Sequence, residues 1–491
     1  MPGVSITTAV RTGPTSTTVR ASSQAFFVGL AERGPADEAV LVTSLAEFEE
    51  TFGGYVTYAY LHPTVQTFFE EGGTQCYIAR VVGPAATSAQ VLLNVGGVGG
   101  ANCIRLTANG PGDWAHDMDI EVVASSSSKN IKLYYNDELV YATGLKTTTA
   151  ALVNAINSSP IASKYMAAVK LTDGMPEVSA VTAFGAGTFT DGSDDRTDNT
   201  VDTSFTAFSA ALELFNDSFG PGAVSCPETN AINAALIAHA NTYNRIALCH
   251  LAEAATGITA AATSLAAETG SEHAALYYPW VYVPTDVAGV SRLIPPDGYA
   301  AGKRALAHNQ TGPHQPYAGL ISAARFVTGV EVDVNKTLGD SLDADYVNAI
   351  RIIANTVRIY GARSLSLDTE NFRFITTQDT VNSVVSEANA SMEDLIFAVV
   401  DGRGGLFSSI EGRLTGICER MKALGALYEA TDANGKLIDP GYSVKCDTSI
   451  NTTAQLAGGT VKAQLGIRVS PIGDKIEVTI VKSNLTSTVT V

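Results

Sequence analysis

The chain closes on DKIEVTIVKSNLTSTVTV, residues 474 to 491, and this segment narrows the folds open to it. Ile476, Val478 and Ile480 alternate with Lys475, Glu477 and Thr479, and the residues beyond are largely β-branched, so the pattern predicts a strand. No hairpin turn follows it. A strand must place its N–H and C=O groups in a ladder, and an unpaired edge templates pairing with whatever is at hand. At the other end, residues 1 to 20 are rich in Thr and Ser with scattered Val and Ile, polar enough to be extended and too sparse for a core. Both termini read as extended segments without a local partner.

At 491 residues the chain is too long for one core, and length alone suggests about three domains. Only 16% of residues are charged, below the usual quarter or so, which leaves uncharged surface for other subunits to cover. The net charge of −18 argues against nucleic acid and anionic membrane surfaces, because phosphate binding needs clustered cations. The longest near-basic stretches, GKRALAH and CERMKAL, carry two cations each. The opening MPGVSITTAVRTGPTSTTVR has no apolar core of a signal peptide, and no run approaches the roughly 20 residues of a membrane span. Folding in a cytoplasm without membrane insertion is therefore expected. The cysteines at 76, 103, 226, 249, 418 and 446 form no C-x-x-C pair and read as reduced, buried thiols, with a disulfide between neighbouring subunits as the other reading.

SSQAFFVGLAERGPADEAVLVTSLAEFEETFGG predicts a buried strand, a turn, a second strand, and a short helix capped by Thr43 or Ser44 and stopped at Gly53 and Gly54. HPTVQTFFEEGGTQCYIARVVG predicts a helix, a Gly72-Gly73 cap and a strand from Cys76 to Val82. Residues 86 to 195 change character, with Gly-rich turns, the alternating stretches IEVVAS and IKLYYND, one helix near TTAALVNAIN and a closing acidic loop DGSDD. From about 200 to 370, helices alternate with apolar strands, as in NAINAALIAHANTY followed by RIALCHLA. SEHAALYYPWVYVP reads as one buried strand ending at Pro284, and DYVNAIRIIANTVRIYGARSLS as a long amphipathic helix ended by Gly361 and followed by a strand. The fold class is thus α/β, multidomain, with a mixed, mainly parallel sheet flanked by helices and a β-rich portion. GLFSSIEGRLTGICERMKALGALYEA repeats Leu406, Ile410, Leu414, Ile417, Met421 and Leu424 at helical spacing, and strands follow at GYSVKCDT and VKAQLGIRV.

No set of residues compels an enzyme. There is no G-x-S-x-G elbow, and His62, His116, His239, His250, His273, His308 and His314 show no evident pairing with a nucleophile, so no catalytic residue is assigned. Asp113, His116, Asp117 and Asp119 in GPGDWAHDMDI have metal-ligand chemistry, but alternation along a strand would split them between faces, and a structural turn is the expectation. GGVGGAN, 96 to 102, lacks the Lys and Ser/Thr of a phosphate loop and reads as a turn. No cofactor or metal is expected.

Four stretches in order, MPGV, AFFVGLAERGP, VTSLAEFEETFGG and TVQTFFEEGGTQCYIARV, resemble the N-terminal part of contractile tail sheath proteins of bacteriophages and related contractile injection systems. The resemblance continues through ANGPGDWAHDMDIEV, IPPDGYAAGKRALAHNQTGPHQPYAG, YGARSLSLDTENFRFI, LGALYEA and SVKCDTSINT, covering almost the whole chain. It implies a non-enzymatic subunit whose α/β domain has a subtilisin-like outline without the catalytic triad. The implied organisation is an N-terminal arm (1–20), the first part of an inner α/β domain (21–85), an inserted outer β-rich domain (86–195), the main α/β domain (196–370), a C-terminal tube-facing domain (371–473) and a C-terminal arm (474–491).

Further implications follow from the resemblance. The subunit is a homo-oligomer, six-fold rings stacked helically around an inner tail tube protein, with baseplate and tail terminator proteins as further partners. Its place is the virion tail, assembled in the host bacterial cytoplasm, and contraction serves genome ejection or a similar injection. Contraction is a rigid-body rearrangement between two lattices, so no nucleotide site is required. The terminal arms exchange strands between neighbours, through Val4, Ile6, Val10, Ile476, Val478, Ile480, Leu485, Val489 and Val491. Arg413, Arg420 and Lys422 are the implied tube contacts. A non-contractile surface or capsid lattice protein, and an α/β serine hydrolase, are the alternatives.

Overall fold

The computed structural model describes residues 22–96, 100–183, 192–196, 205–285, 287 and 289–474. All nine residues expected to exchange strands lie outside these. The chain divides into two compact units, Met1–Glu393 and Asp394–Val491.

In the first unit AFFVG forms β1 (Ala25–Gly29), buried at every position. Phe27 enters one core while Phe26 and Val28 enter another, so both faces of the strand are covered and its sequence is a continuous apolar run. β2 (Val40–Val42) leads to α1 (Leu45–Phe52), where the Ser44 side chain accepts the Glu47 N–H and Gly53, at φ 85°, ends the helix. α2 (Leu61–Glu70) and β3 (Cys76–Arg80) follow as the sequence predicts.

The next portion has its own core. β4 (Gln90–Asn94), β5 (Asn102–Ala108) and β9 (Met166–Lys170) make one antiparallel sheet; β6 (Met118–Ser125), β7 (Ser128–Tyr135), β8 (Glu138–Ala142) and β10 (Ser179–Ala183) make another. Val91, Leu106, Trp114, Ile120, Ile131 and Leu133 fill the core, with Leu152 and Ile156 of α3 (Thr149–Asn157); α4 (Ala162–Tyr165) adds Ala162. GGVGGAN connects β4 to β5, with residues 97–99 outside the described set. Asp113–Asp117 is a 3₁₀ turn with Trp114 buried, which feeds β6.

The chain then alternates through α5 (Thr206–Leu212), β11 (Ala223–Ser225), α6 (Asn233–Tyr243), β12 (Ile246–His250), α7 (Ile258–Ala266) and β13 (Ala274–Tyr278). β14 (Val281–Pro284), β15 (Ser291–Ile294) and β16 (Gly329–Val330) form a small antiparallel sheet. α8 (Asp297–Gln310), α9 (Lys336–Ala344), β17 (Val347–Ile353), β18 (Thr356–Ile359) and α10 (Ile375–Met392) complete the unit. The main sheet has eight strands in the order β18-β17-β13-β12-β11-β1-β3-β2. The six from β17 to β3 run parallel, and β18 and β2 join antiparallel at the edges. The β18 edge is covered: the Ala324 N–H donates to Val357 O, and the Ile359 N–H donates to Ser322 Oγ.

α8 lies against α2 so closely that Gly298 and Gly302 have no room for a side chain. A Cβ there would sit 2.3 Å from Thr64 O and 2.8 Å from Phe68 O.

Three expectations are corrected, the first being the strand after Gly361, where Arg363 makes only an isolated bridge to Phe374. Residues 347–359 are not a helix but the hairpin β17–β18, joined by Ala354 and Asn355 at φ 49° and 62°, the geometry of a two-residue hairpin loop. Val347, Ile350, Ile352, Ile353, Val357 and Ile359 are β-branched, and a short apolar run does not separate helix from buried strand by spacing alone. SEHAALYYPWVYVP is two strands, β13 and β14, in different sheets. Pro279 lies between them and has no N–H for a central ladder.

The second unit contains α11 (Gly405–Ala423), the hairpin β19 (Ala430–Thr431) and β20 (Leu437–Asp439), then β21 (Tyr442–Lys445), α12 (Thr453–Ala457) and β22 (Gln464–Ile467). β21 and β22 pair antiparallel from Tyr442↔Ile467 to Lys445↔Gln464.

Candidate functional site

α11 carries all three cations expected to touch a tube. It buries Phe407, Leu414, Ile417, Cys418 and Met421, a stripe turned slightly from the predicted one, so that Leu424 is 47% exposed. Arg413 forks onto Asp394, with Nη2 2.9 Å from Oδ2 and Nη1 bonded to Oδ1. Lys422 Nζ lies 2.8 Å from Glu419 Oε2 and 3.5 Å from Glu429 Oε1. Hydrogen bonding to Glu419 holds the Lys422 ammonium above its usual range. Glu419 also accepts the Tyr442 hydroxyl, which ties β21 to α11. Arg420 lies exposed on the same helix. Arg413 and Lys422 thus bring their own counterions, and the field they project is correspondingly weak.

Beside this helix stand two minimal sheets. Among the described residues, β19–β20 and β21–β22 are each two-stranded. Such a pair is marginal in water and gains from further strands, and each strand has an outer edge of N–H and C=O groups to offer. Asn451 secures the crossover between β21 and β22: its amide nitrogen donates to Asp447 O and Lys462 O, and its Oδ1 accepts the Lys462 N–H. Exposed apolar residues lie on the same unit. Phe397 is fully exposed and Val399 82% exposed, while Ile438 is 69% exposed on β20. No sequence signal marked Ile396–Val400, because a short apolar run has the composition of core.

The first unit holds buried charges that sequence reading missed. Arg80, at the end of β3, donates to Ala31 O (3.2 Å), Gly34 O (2.9 Å), Pro111 O (2.7 Å) and Asp194 Oδ1 (2.6 Å). Arg80 thus ties β3 to Pro111 and Asp194, on the β-rich portion. Arg33 stacks over Tyr135 and Tyr165, 5.1 and 4.6 Å from the ring centres, and the Tyr135 hydroxyl donates to Glu32. On α8, Lys303 Nζ lies 2.6 Å from Glu71 Oε2 with both side chains fully buried, and Glu71 accepts the N–H groups of Arg325, Phe326 and Val327. Asp297 Oδ1 lies 3.0 Å from Nδ1 of His250, which ends β12, and the His250 ring packs edge-on to Trp280. The pair joins the first residue of α8 to the end of β12. Among the described residues no group of three His, Cys, Asp or Glu is disposed to hold a metal; Asp113 and His116 lie in the 3₁₀ turn.

No family model and no curated protein matches the sequence. Solved structures match its fold. The chain is similar to one of the anti-feeding prophage (AFP) helical sheath in its contracted state, with TM-score 0.56 and 14% identity over 99% of each chain. It is similar to the sheath complex of the extracellular contractile injection system PVC, also contracted, with TM-score 0.55 and 14% identity over 98% of this chain and 99% of that one. A sheath tail protein from Listeria innocua, Lin1278, gives TM-score 0.59 and 13% identity over 89% and 93%. The described residues share the fold of these sheath proteins.

Proposed function

We propose that this chain, which has the fold of tail sheath proteins, is the structural subunit of a contractile sheath. It polymerises as helically stacked rings around an inner tube and contracts by rearrangement of rigid subunits. The observation that carries this reading is end-to-end likeness to chains solved within contracted sheaths. The two-stranded sheets of the second unit support it, since β21–β22 can accept the arm strands 1–20 and 474–491 of neighbours. Head-to-tail exchange of this kind generates open helices instead of closed dimers. Residues 86–195 form the outward domain, with the subtilisin-like outline confined to the body, and the second unit faces the tube. Because Arg413 and Lys422 are already paired, the exposed apolar residues 396–400 and Ile438 carry part of the burial in the lattice. Inner tube, baseplate and terminator proteins are the partners, in a virion tail or related injection device.

Negative-stain electron microscopy of the full chain, co-expressed with its tube protein, is expected to show hollow helical tubes. Versions lacking 1–20 or 474–491 are expected to lose them. Tubes that survive both deletions would retain the sheath and remove strand exchange; a full chain that never coats its tube would remove the sheath reading. Reversing Arg413, Arg420 and Lys422 together is expected to loosen sheath from tube at physiological salt, as read by co-sedimentation. Unchanged co-sedimentation would clear these three of the contact.

A further inference from the structure

The two arms leave the body from very different roots. Before the sheet ladder begins at Ala25, Ser22 is held on α8: Arg304 Nη1 donates to Ser22 O at 2.8 Å, and Ser22 Oγ lies 3.1 Å from His308 Nδ1. Both of these α8 side chains converge on Asp379 of α10. Arg304 Nη2 lies 2.5 Å from Asp379 Oδ1, and His308 Nε2 lies 3.4 Å from Oδ2. Arg304 and Asp379 are 2% and 1% exposed. Burial alone would raise the Asp379 carboxyl, yet Arg304 and His308 beside it hold it at about 2. Two residues on, Gln24 Nε2 donates to Phe219 O (2.6 Å) and Pro221 O (2.8 Å), and Gln75 donates to Gln24 Oε1.

At the other end, Arg468 pairs with Asp439, side chains 51% and 37% exposed. Ser470 N and Oγ reach Ala426 O and Gly425 O. Residues 471–474 then run on outside any helix or strand.

We propose that the arms are anchored unequally, and that the Arg304–Asp379–His308 cluster is the fixed end. Load on residues 1–21 enters at Ser22 and passes into α8 and, through Asp379, into α10, whose chain continues past Glu393 into the second unit. It does not peel β1 from the sheet. Charge-assisted bonds in a dry setting resist separation, whereas an exposed ion pair exchanges readily with water and is screened by salt. The C-terminal root is therefore the end that yields. This rests on the reading of the arms as tethers between subunits.

Single-molecule pulling on the full chain tests it. Handles at residue 1 and at Thr311→Cys, just past α8, load the N-terminal root; handles at residue 491 and at Ser408→Cys, on α11, load the C-terminal one. The N-terminal pair is expected to rupture at the higher force. The variant Arg304→Met with Asp379→Leu removes both charges together and is expected to lose that high-force event. Should it not fold, His308→Ala, which leaves the Arg304–Asp379 pair intact, is expected to lower the N-terminal force alone. Equal forces at the two roots, or an N-terminal force indifferent to these changes, would overturn the proposal. Pulling reads a single chain, so its outcome is independent of whether tubes form, and the two readings fail separately.

Discussion

Lys303→Met is expected to destabilise the first unit by about 3–5 kcal/mol, the range for a buried ion pair that loses one partner. The Glu71 carboxylate would keep the backbone N–H groups of Arg325, Phe326 and Val327 but lose the ammonium 2.6 Å away, with no solvent to replace it. Lys303 also donates to Ala323 O at 2.8 Å, so the loop 323–327 is gripped from both sides. Burial already pulls the Lys303 ammonium down, and Glu71 opposes that pull. With an unfolding entropy of about 2.1 cal/mol/K per residue, a unit the size of Met1–Glu393 shifts by about 1.2 °C per kcal/mol, so the first thermal transition is expected to fall by roughly 4–6 °C. Glu71→Gln combined with Lys303→Met is expected to cost less than the two singles summed, because the amide needs no counterion. A Lys303→Met transition that stays within a degree of the parent would mean that the pair is not ionic in the folded chain.

The second large effect concerns acid. His239 Nε2 lies 2.7 Å from Arg245 Nη1, a donor, so this ring nitrogen must carry a lone pair. Burial first, and then Arg245, push the imidazole down to about 3. A folded-state value below the unfolded one, about 6.5, means full stability above pH 6.5 and progressive loss as the pH falls toward 3. Between pH 7 and 5 that loss amounts to about 2 kcal/mol, and it changes little if the folded value lies a unit higher. His273 is fixed neutral in the same way, with Nδ1 toward Arg245 O and Nε2 toward the Gln378 amide, and burial lowers it too. Glu228 acts in the opposite sense: burial raises it to about 7, so its contribution grows as the pH falls. The clean readout is thus a difference. The stability of the parent minus that of His239→Gln, from urea unfolding, is expected to drop by about 2 kcal/mol from pH 7 to pH 5. An equal difference at both pH values would mean that His239 titrates normally.

What could be read from sequence and what could not divide along a physical line. The helix cap at Thr43 or Ser44, the stop at Gly53 and the buried strand AFFVG are local signals, each decided within a few residues, and the structure repeats them with Ser44 as the cap. α8 went unread because Asp297, Lys303, Arg304 and His308 look like a wet face, and their partners lie far off in the chain, at His250, Glu71 and Asp379. The same distance hid the pairing on α11, where Asp394 sits 19 residues before Arg413. Residues 347–359 failed for another reason: β-branched side chains at mixed spacing satisfy both periodicities until the Ala354-Asn355 turn decides. The exchange residues of both arms lie outside the described residues, and their role stays a proposal.

The edges of the main sheet bear on how such a protein can be stored. β18 is sealed by Ser322 and Ala324, and β2 at the far side is only three residues long. Short or covered edges give a neighbouring chain little to template on. Strand pairing between copies along the main sheet is therefore disfavoured at both of its edges. Concentrated solutions of the folded chain are therefore not expected to associate edge to edge through this sheet.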